Sequence, residues 1–342
     1  HTVLFGASGS GKSAFLVHRA RECLDRGRPF VLFDVHGDLG ARVVAALPPA
    51  SSARLVAIDP SAPGPVPGVA LLGGEGDRSE AERAHLLSAL RRLGAEEGQP
   101  YWGFRLDRIF DTLLRVVQEE RGDLRDLQDL LVDPARRELS RGRTAIPEVR
   151  QFLDELPGIM RRNPEFLWPA AARLSRILLS PRLAALVLPE ATELPVEPLL
   201  GSGHGLLWRV PIGRFGSEGA QFVTTLLAAR VYLGQVARAD GSAPRGEGIA
   251  LFLDEAQMIA PRLLTEILTE GRKFGLALYL ATQFPERLEE GARRAAAASA
   301  GTHLLFRVPQ AHAAALSGWS GLSPGEAERR LPVLDTATAI RI

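Results

Sequence analysis

Short apolar segments alternate with helical patterns near both ends of the chain. The segments are rich in Val, Leu, Ile and Phe, which is typical of strands buried on both faces of a parallel sheet. Strands are predicted at 2–5, 30–34, 54–58, 205–210, 249–253, 276–282, 303–308 and 337–342. Helices are predicted beside them at 11–26, 218–238 and 261–274. This alternation indicates an α/β fold with a mostly parallel sheet.

The middle of the chain has a different pattern. A Pro- and Gly-rich connector at 60–68 is followed, from about Ser79, by apolar positions at helical spacing such as Leu106, Ile109 and Leu113. Strand signals are almost absent there. We therefore predict a first sheet-forming part, an all-helical insertion and a second sheet-forming part at 1–76, 77–199 and 200–342.

A glycine-rich loop follows the first predicted strand. Residues 6–13 read Gly-Ala-Ser-Gly-Ser-Gly-Lys-Ser, the pattern of a phosphate-binding loop, or P-loop. Glycines let backbone N–H groups turn toward a phosphate, while the next helix presents its positive end to the same anion. The residues predicted to bind the nucleotide are Gly6, Ser8, Gly9, Ser10, Gly11, Lys12 and Ser13. A chance Gly/Ser-rich turn is the alternative, but Lys12 is one of only two lysines in the chain.

Two acids follow the predicted strand 249–253. At the carboxyl end of a buried parallel strand, Asp254 is placed to hold Mg²⁺ together with Ser13, and Glu255 to orient or deprotonate an attacking water. A simple helix cap is the alternative for Asp254. The combination with the P-loop favours hydrolysis of ATP.

Two further polar residues stand near strand 276–282. Gln283 follows the strand and is a candidate sensor of the γ-phosphate, with a plain strand-end amide as the alternative. Arg272 precedes it, in the predicted last turn of a helix, where a cation also offsets the helix dipole. The functional interpretation of Arg272 is an arginine finger that reaches the ATP of a neighbouring subunit.

Composition and charge limit the binding partners and the cellular compartment that are expected for the protein. The net charge is +1, which gives no general basic surface for nucleic acid. No run of apolar residues is long enough for a membrane span, and the single Cys23 favours a reducing compartment. Because the chain begins at His1 rather than Met, directly before the predicted strand 2–5, we expect a fragment of a longer protein. We expect it to be cytoplasmic, or at the cytoplasmic face of a membrane if the full protein has an anchor. The histidines show no metal-ligand spacing.

These motifs together resemble the HerA–FtsK superfamily of hexameric DNA-pumping ATPases. Within it they are similar to conjugative DNA-transfer proteins of the TraG/TraD coupling type and to HerA-like proteins. The segments that carry the resemblance are 1–6 with the P-loop, Phe33-Asp34-Val35-His36-Gly37-Asp38, Asp254-Glu255-Ala256-Gln257, 270–276, Ala281-Thr282-Gln283 and 302–308.

The resemblance implies a RecA-like P-loop NTPase core that binds ATP and Mg²⁺ in a homo-oligomer, most simply a hexamer, and moves DNA. It also implies the roles already given to Lys12, Asp254, Glu255, Gln283 and Arg272, and possible partners in a membrane or a secretion complex. DNA contacts stay unassigned; the pair at 293–294 is a candidate, although a solvated helix face explains it equally simply. Two alternatives remain open: an ATPase for protein secretion or transport, and a nucleotide-gated docking module, against which the second acid argues.

Overall fold

The structure is a computed structural model that describes residues 1–70, 72–73, 77–93, 102–188, 193–239, 241 and 248–342. In these ranges the sheet has eight strands: β1 (Thr2–Phe5), β2 (Phe30–Asp34), β3 (Leu55–Ile58), β4 (Gly205–Arg209), β5 (Ile249–Leu253), β6 (Leu276–Thr282), β7 (Thr302–Leu305) and β8 (Ile340–Arg341). Their order is β3-β4-β2-β5-β6-β1-β7-β8. Neighbouring strands are parallel except β7 and β8. The predicted α/β fold with a mostly parallel sheet is confirmed.

The described ranges also contain α-helices. They are α1 (Lys12–Asp25), α2 (Leu39–Ala46), α3 (Pro49–Ser52), α4 (Asp77–Leu90), α5 (Phe104–Glu119), α6 (Leu124–Val132), α7 (Pro134–Arg143), α8 (Pro147–Arg162), α9 (Trp168–Leu178), α10 (Pro181–Val187), α11 (Val196–Gly201), α12 (Ile212–Ala239), α13 (Pro261–Glu270), α14 (Glu290–Ser299), α15 (Gln310–Ala313), α16 (Ser317–Ser320) and α17 (Pro324–Arg330). A non-helical residue, Gly216 with a φ of 72°, interrupts α12. None of the helices in the described ranges has the length and hydrophobicity needed to cross a bilayer.

The chain divides into two compact units. The first comprises His1–Ala62, Pro195–Gly216 and Gly234–Ile342, and it contains the sheet. The second comprises Pro63–Leu194 and Ser217–Leu233, and its described elements are helices. The domain boundaries inferred from the sequence stay a prediction.

The core of the first unit lies between the sheet and its helices. All five residues of β5 are buried, as the unbroken apolar pattern predicts for a central parallel strand. Helix α1 places Leu16, Ala20 and Leu24 against the sheet at helical spacing. Full burial of a leucine side chain contributes about 2 kcal/mol of hydrophobic free energy, so this face fixes α1 on the sheet. The P-loop that precedes α1 is thereby held at the carboxyl edge of the strands.

The second unit forms its own hydrophobic core. Helix α5 buries Ile109, Phe110 and Leu113 on one face. Helix α6 begins with a capping box in which the Asp123 side chain accepts from the backbone and the Asp126 side chain accepts from the Asp123 N–H. These hydrogen bonds define where α6 begins.

Two elements of the first unit are shorter than the sequence pattern predicts. Helix α13 ends at Glu270 rather than at 274, so Arg272 lies in a turn. The last predicted strand is reduced to Ile340–Arg341 because Ala337 has a φ of 65°, which is incompatible with an extended strand. The Ala337 N–H donates instead to the Ser10 carbonyl at 2.8 Å.

Candidate nucleotide-binding site

The P-loop joins β1 to α1 through two glycines with positive φ. Gly9 has a φ of 73° and Gly11 a φ of 113°, conformations that residues with a side chain rarely adopt. The Lys12 ammonium donates to the Gly6 carbonyl at 2.6 Å and to the Ala7 carbonyl at 3.0 Å. The side chain therefore folds along its own loop. Burial lowers the Lys12 pKa, although nearby carboxylates oppose this effect.

The first turn of α1 is suited to an anion. Lys12, Ser13 and Ala14 occupy this turn, where helix geometry leaves the N–H groups without intrahelical acceptors. The helix dipole adds a positive potential at the same point. All three residues line one cavity of about 610 Å³. These features fit a phosphate group.

A hydroxyl and a carboxylate meet on one side of this turn. The Ser13 Oγ donates to Asp254 Oδ2 at 3.1 Å and lies 3.4 Å from its Oδ1, although the two residues are 241 positions apart. Burial raises the Asp254 pKa, whereas the Ser13 hydrogen bond and the Lys12 charge oppose that rise. Oxygen ligands of this type suit Mg²⁺, which P-loop proteins hold with a serine or threonine and an acid. The described residues contain no cluster of three or more His, Cys or acidic side chains that could hold a metal ion.

The second acid, Glu255, has donors on both oxygens. Its Oε1 lies 3.5 Å from His36 Nε2, and its Oε2 accepts from Gln257 Nε2 at 2.7 Å. The Glu255 side chain is 11% exposed, and burial alone would favour its neutral form. The hydrogen bonds from His36 and Gln257, with the charges of His36 and Arg287, outweigh burial and lower the Glu255 pKa. These contacts favour the ionised form of Glu255.

Hydrogen bonds from Asp34 and Arg209 fix the loop that follows β2 and carries His36. Asp34, fully buried at the end of β2, accepts from the Gly37 N–H at 2.7 Å and the Gly40 N–H at 2.8 Å. Arg209 donates to the Gly37 carbonyl at 2.9 Å and pairs with Asp59 at 3.0 Å. Because β2 and β5 are neighbours in the sheet, this loop faces the two acids.

The cavity brings together most of the residues singled out in the sequence. Lys12, Ser13, Asp254, Glu255 and Gln283 all line it. The structure adds residues to which sequence reasoning assigned no role: His36, Asp38, Arg42, Thr336 and Ala337. For His36 a signal existed, since it follows a strand that ends at the same edge as β5. No sequence signal identified the two C-terminal residues.

Arg272 lies elsewhere in the first unit. It is exposed and stands just before β6, whereas Gln283 follows the end of β6. Seven residues of strand separate these ends, which corresponds to roughly 23 Å at about 3.3 Å per residue. Arg272 therefore does not reach the cavity of its own chain. On α14, Arg294 pairs with Glu290, which agrees with a solvated helix face for the pair at 293–294.

The fold is that of the RecA-like P-loop ATPases. The bacterial conjugative coupling protein TrwBdeltaN70, in an unbound form, superposes with a TM-score of 0.69 at 16% identity, covering 100% of this chain and 81% of that one. TrwB in complex with ADP and Mg²⁺ gives 0.69 at 16% identity, with coverage of 99% and 81%. VirB4 of Thermoanaerobacter pseudethanolicus gives 0.64 at 14% identity, with coverage of 100% and 87%.

These similarities are structural. No protein-family model matches the sequence, and a comparison with curated proteins finds no match. At such low identity the similarity shows a common fold. The RecA-like P-loop fold that the sequence resemblance implied is thereby confirmed.

Proposed function

We propose that this chain is a Mg²⁺-dependent ATPase. The proposal is carried by the contact between Ser13 and Asp254, with Lys12 and Glu255 lining the same cavity. These are the groups that P-loop ATPases use for phosphate, metal and water. TrwB, which shares the fold, has been crystallised with ADP and Mg²⁺ and with a non-hydrolysable ATP analogue.

Each side chain has a defined task in this proposal. ATP bound with Mg²⁺ supplies the phosphoryl group, and the metal neutralises charge on its oxygens. Lys12 exchanges its contacts with the Gly6 and Ala7 carbonyls for contacts with phosphate oxygens. Glu255 accepts a proton from the attacking water at its carboxylate, while Ser13 and Asp254 hold the metal ion. Gln283, at the end of β6, contacts the γ-phosphate or that water.

We further propose that the site is completed by a second copy of the chain. Arg272 is exposed at the edge of the sheet opposite to its own P-loop, so it is free to contribute to another subunit's site. A ring of subunits, most simply a hexamer, lets every Arg272 reach the neighbouring nucleotide. A trans arginine of this kind increases turnover by about 10³–10⁵-fold in proteins where it has been measured.

The polymer moved by such a ring is proposed to be DNA. TrwB, which shares the fold over nearly the whole chain, is a conjugative coupling protein. A net charge of +1 does not oppose DNA binding in a channel, because a few arginines per subunit are sufficient to follow a phosphate backbone. The proposal that the polymer is DNA rests on this structural similarity.

The test is the ATPase rate of an oligomer of known mass, with and without single- and double-stranded DNA. Measurements at about 50 and 200 mM salt separate backbone contacts from other effects, because phosphate contacts weaken steeply with salt. DNA stimulation that declines at the higher salt concentration is expected. ATP turnover without DNA stimulation in the assembled oligomer would refute the DNA motor and favour an ATPase for protein transport. Absence of turnover would refute both.

A further inference from the structure

A C-terminal turn lies directly on the P-loop. Residues 335–338 form this turn, which is closed by the Thr338 N–H donating to the Asp335 carbonyl at 3.0 Å. The Ala337 N–H donates to the Ser10 carbonyl at 2.8 Å. A Cβ atom added to Gly11 would lie 2.5 Å from Ala337 Cα, so Gly11 is required for this close approach as well as for its own positive φ. The turn and the P-loop therefore form one packed unit.

The backbone of the turn is strained at the point of contact. Ala337 has a φ of 65°, and a left-handed conformation costs a residue with a side chain roughly 1–2 kcal/mol. The following strand, β8, pairs with β7 and holds the turn in place. Strain of this kind persists where surrounding structure imposes it and is concentrated at binding sites. The hydrogen bond to Ser10 explains why Ala337 lies against the P-loop. It does not explain why the neighbouring Thr336 has an exposed side chain that lines the cavity.

The order of the strands determines which cavity residues lie on each side of the P-loop. β1, which carries the P-loop, lies between β6 and β7. The acids that act at the γ-phosphate follow β5, on the β6 side, whereas Thr336 and Ala337 stand before β8, on the β7 side, and line the same cavity. A triphosphate held by the P-loop with its γ-phosphate toward β5 therefore extends its nucleoside toward Thr336.

We propose that Thr336 and Ala337 form the nucleoside end of the nucleotide site, with the Thr336 side chain against the sugar and base. This inference rests on the proposed ATPase function and adds a recognition surface that the P-loop motif does not contain. It predicts that Thr336 distinguishes ligands that carry a nucleoside from bare polyphosphate. Lys12, by contrast, acts on both kinds of ligand because it contacts phosphate.

The test compares Mg²⁺-ADP with Mg²⁺-tripolyphosphate by isothermal titration calorimetry. In Thr336→Leu, which adds apolar bulk without charge, the Kd for ADP is expected to increase roughly tenfold, the lower end of what one misplaced methylene group costs in a binding pocket. The Kd for tripolyphosphate is expected to stay within about twofold, which also shows that the variant is folded. Thr338→Leu, on an exposed neighbour that does not line the cavity, is the matched control.

The possible outcomes distinguish a failure of the nucleoside role of Thr336 from a failure of the proposed ATPase function. Lys12→Ala should weaken both ligands. If Thr336→Leu weakens both ligands equally, or neither, the nucleoside role is overturned while the phosphate site stands. If the wild-type protein binds neither ligand, the proposed ATPase function fails and this inference fails with it.

Discussion

Replacing His36 by alanine removes one of the two donors on Glu255. The pair is 3.5 Å long, with the imidazole 52% exposed and the carboxylate 11% exposed. Buried hydrogen bonds to charged groups contribute about 1.5–3 kcal/mol, whereas exposed ion pairs contribute about 0.2–1 kcal/mol. A long contact with a half-exposed partner contributes about 1 kcal/mol, which corresponds to at most roughly fivefold in kcat if Glu255 is the base. Part of this loss is offset because Glu255 without His36 has a higher pKa and is a stronger base. KM should change little, since His36 orients Glu255 and does not hold phosphate.

The effect should depend on pH. The hydrogen bond to Glu255 raises the His36 pKa above its ordinary value, burial opposes this, and the charges of Glu255, Asp254 and Asp38 add to the rise. Because the folded-state pKa of this histidine is raised, its contribution is complete below the ordinary value of about 6.5 and declines as pH passes the raised value. The ratio of wild-type to His36→Ala kcat should therefore be largest near about pH 6 and smaller near about pH 9.

Steady-state ATP hydrolysis by both proteins at the two pH values is the assay. His36→Asn keeps a side-chain donor and should recover part of the lost kcat. His18→Ala, on the exposed face of α1, is the control for removing a histidine that does not line the cavity. An increase in kcat, a change confined to KM, or a ratio independent of pH would refute this role of His36.

Three further predictions concern the proposed subunit interface, the C-terminal turn and the buried carboxylate at the end of β5. Mixing Arg272→Ala with Lys12→Ala subunits should restore ATP turnover above that of either variant, and mixtures that never exceed the parents would exclude a trans finger. Ala337→Gly should raise the free energy of unfolding by about 0.5–1 kcal/mol in urea denaturation, because glycine removes left-handed strain but adds entropy to the unfolded chain. Asp254→Asn should stabilise the ligand-free protein by about 1 kcal/mol at neutral pH. The Asp254 pKa is raised by burial, so ionisation destabilises the fold above about pH 4, and this gain should vanish at lower pH.

Much of the first unit could be predicted because its signals are local. The apolar segment Ile249–Leu253 has no polar position, which is typical of a strand covered on both faces. The P-loop is likewise a continuous motif between a strand and a helix. Given a parallel sheet, residues that follow strands must share one edge, so Asp254 and Gln283 could be placed near the P-loop before any coordinates.

The remaining features depend on contacts between distant segments. The strand order decides that β2 adjoins β5, and only this order brings His36 to Glu255. The sequence around Ala337 has the pattern of a strand, but its N–H is taken by Ser10, more than three hundred positions earlier. The position of His36 after β2 predicts the edge of the sheet at which it lies. Neither its contact with Glu255 nor the bond from Ala337 to Ser10 leaves a periodic or spacing signal in one sequence.

The measurement that tests the central claim most directly is ATP binding and ATP turnover in Glu255→Gln. Glutamine keeps the size of the side chain but cannot accept a proton as a carboxylate does, so turnover should decrease by about 10²-fold or more. ATP affinity should stay within about threefold of wild type, since Lys12 and Ser13 are unchanged. Glu286→Gln, at an exposed position outside the cavity, should leave both quantities unchanged. Undiminished hydrolysis in Glu255→Gln would contradict the assignment of the catalytic base and with it the mechanism proposed for this site.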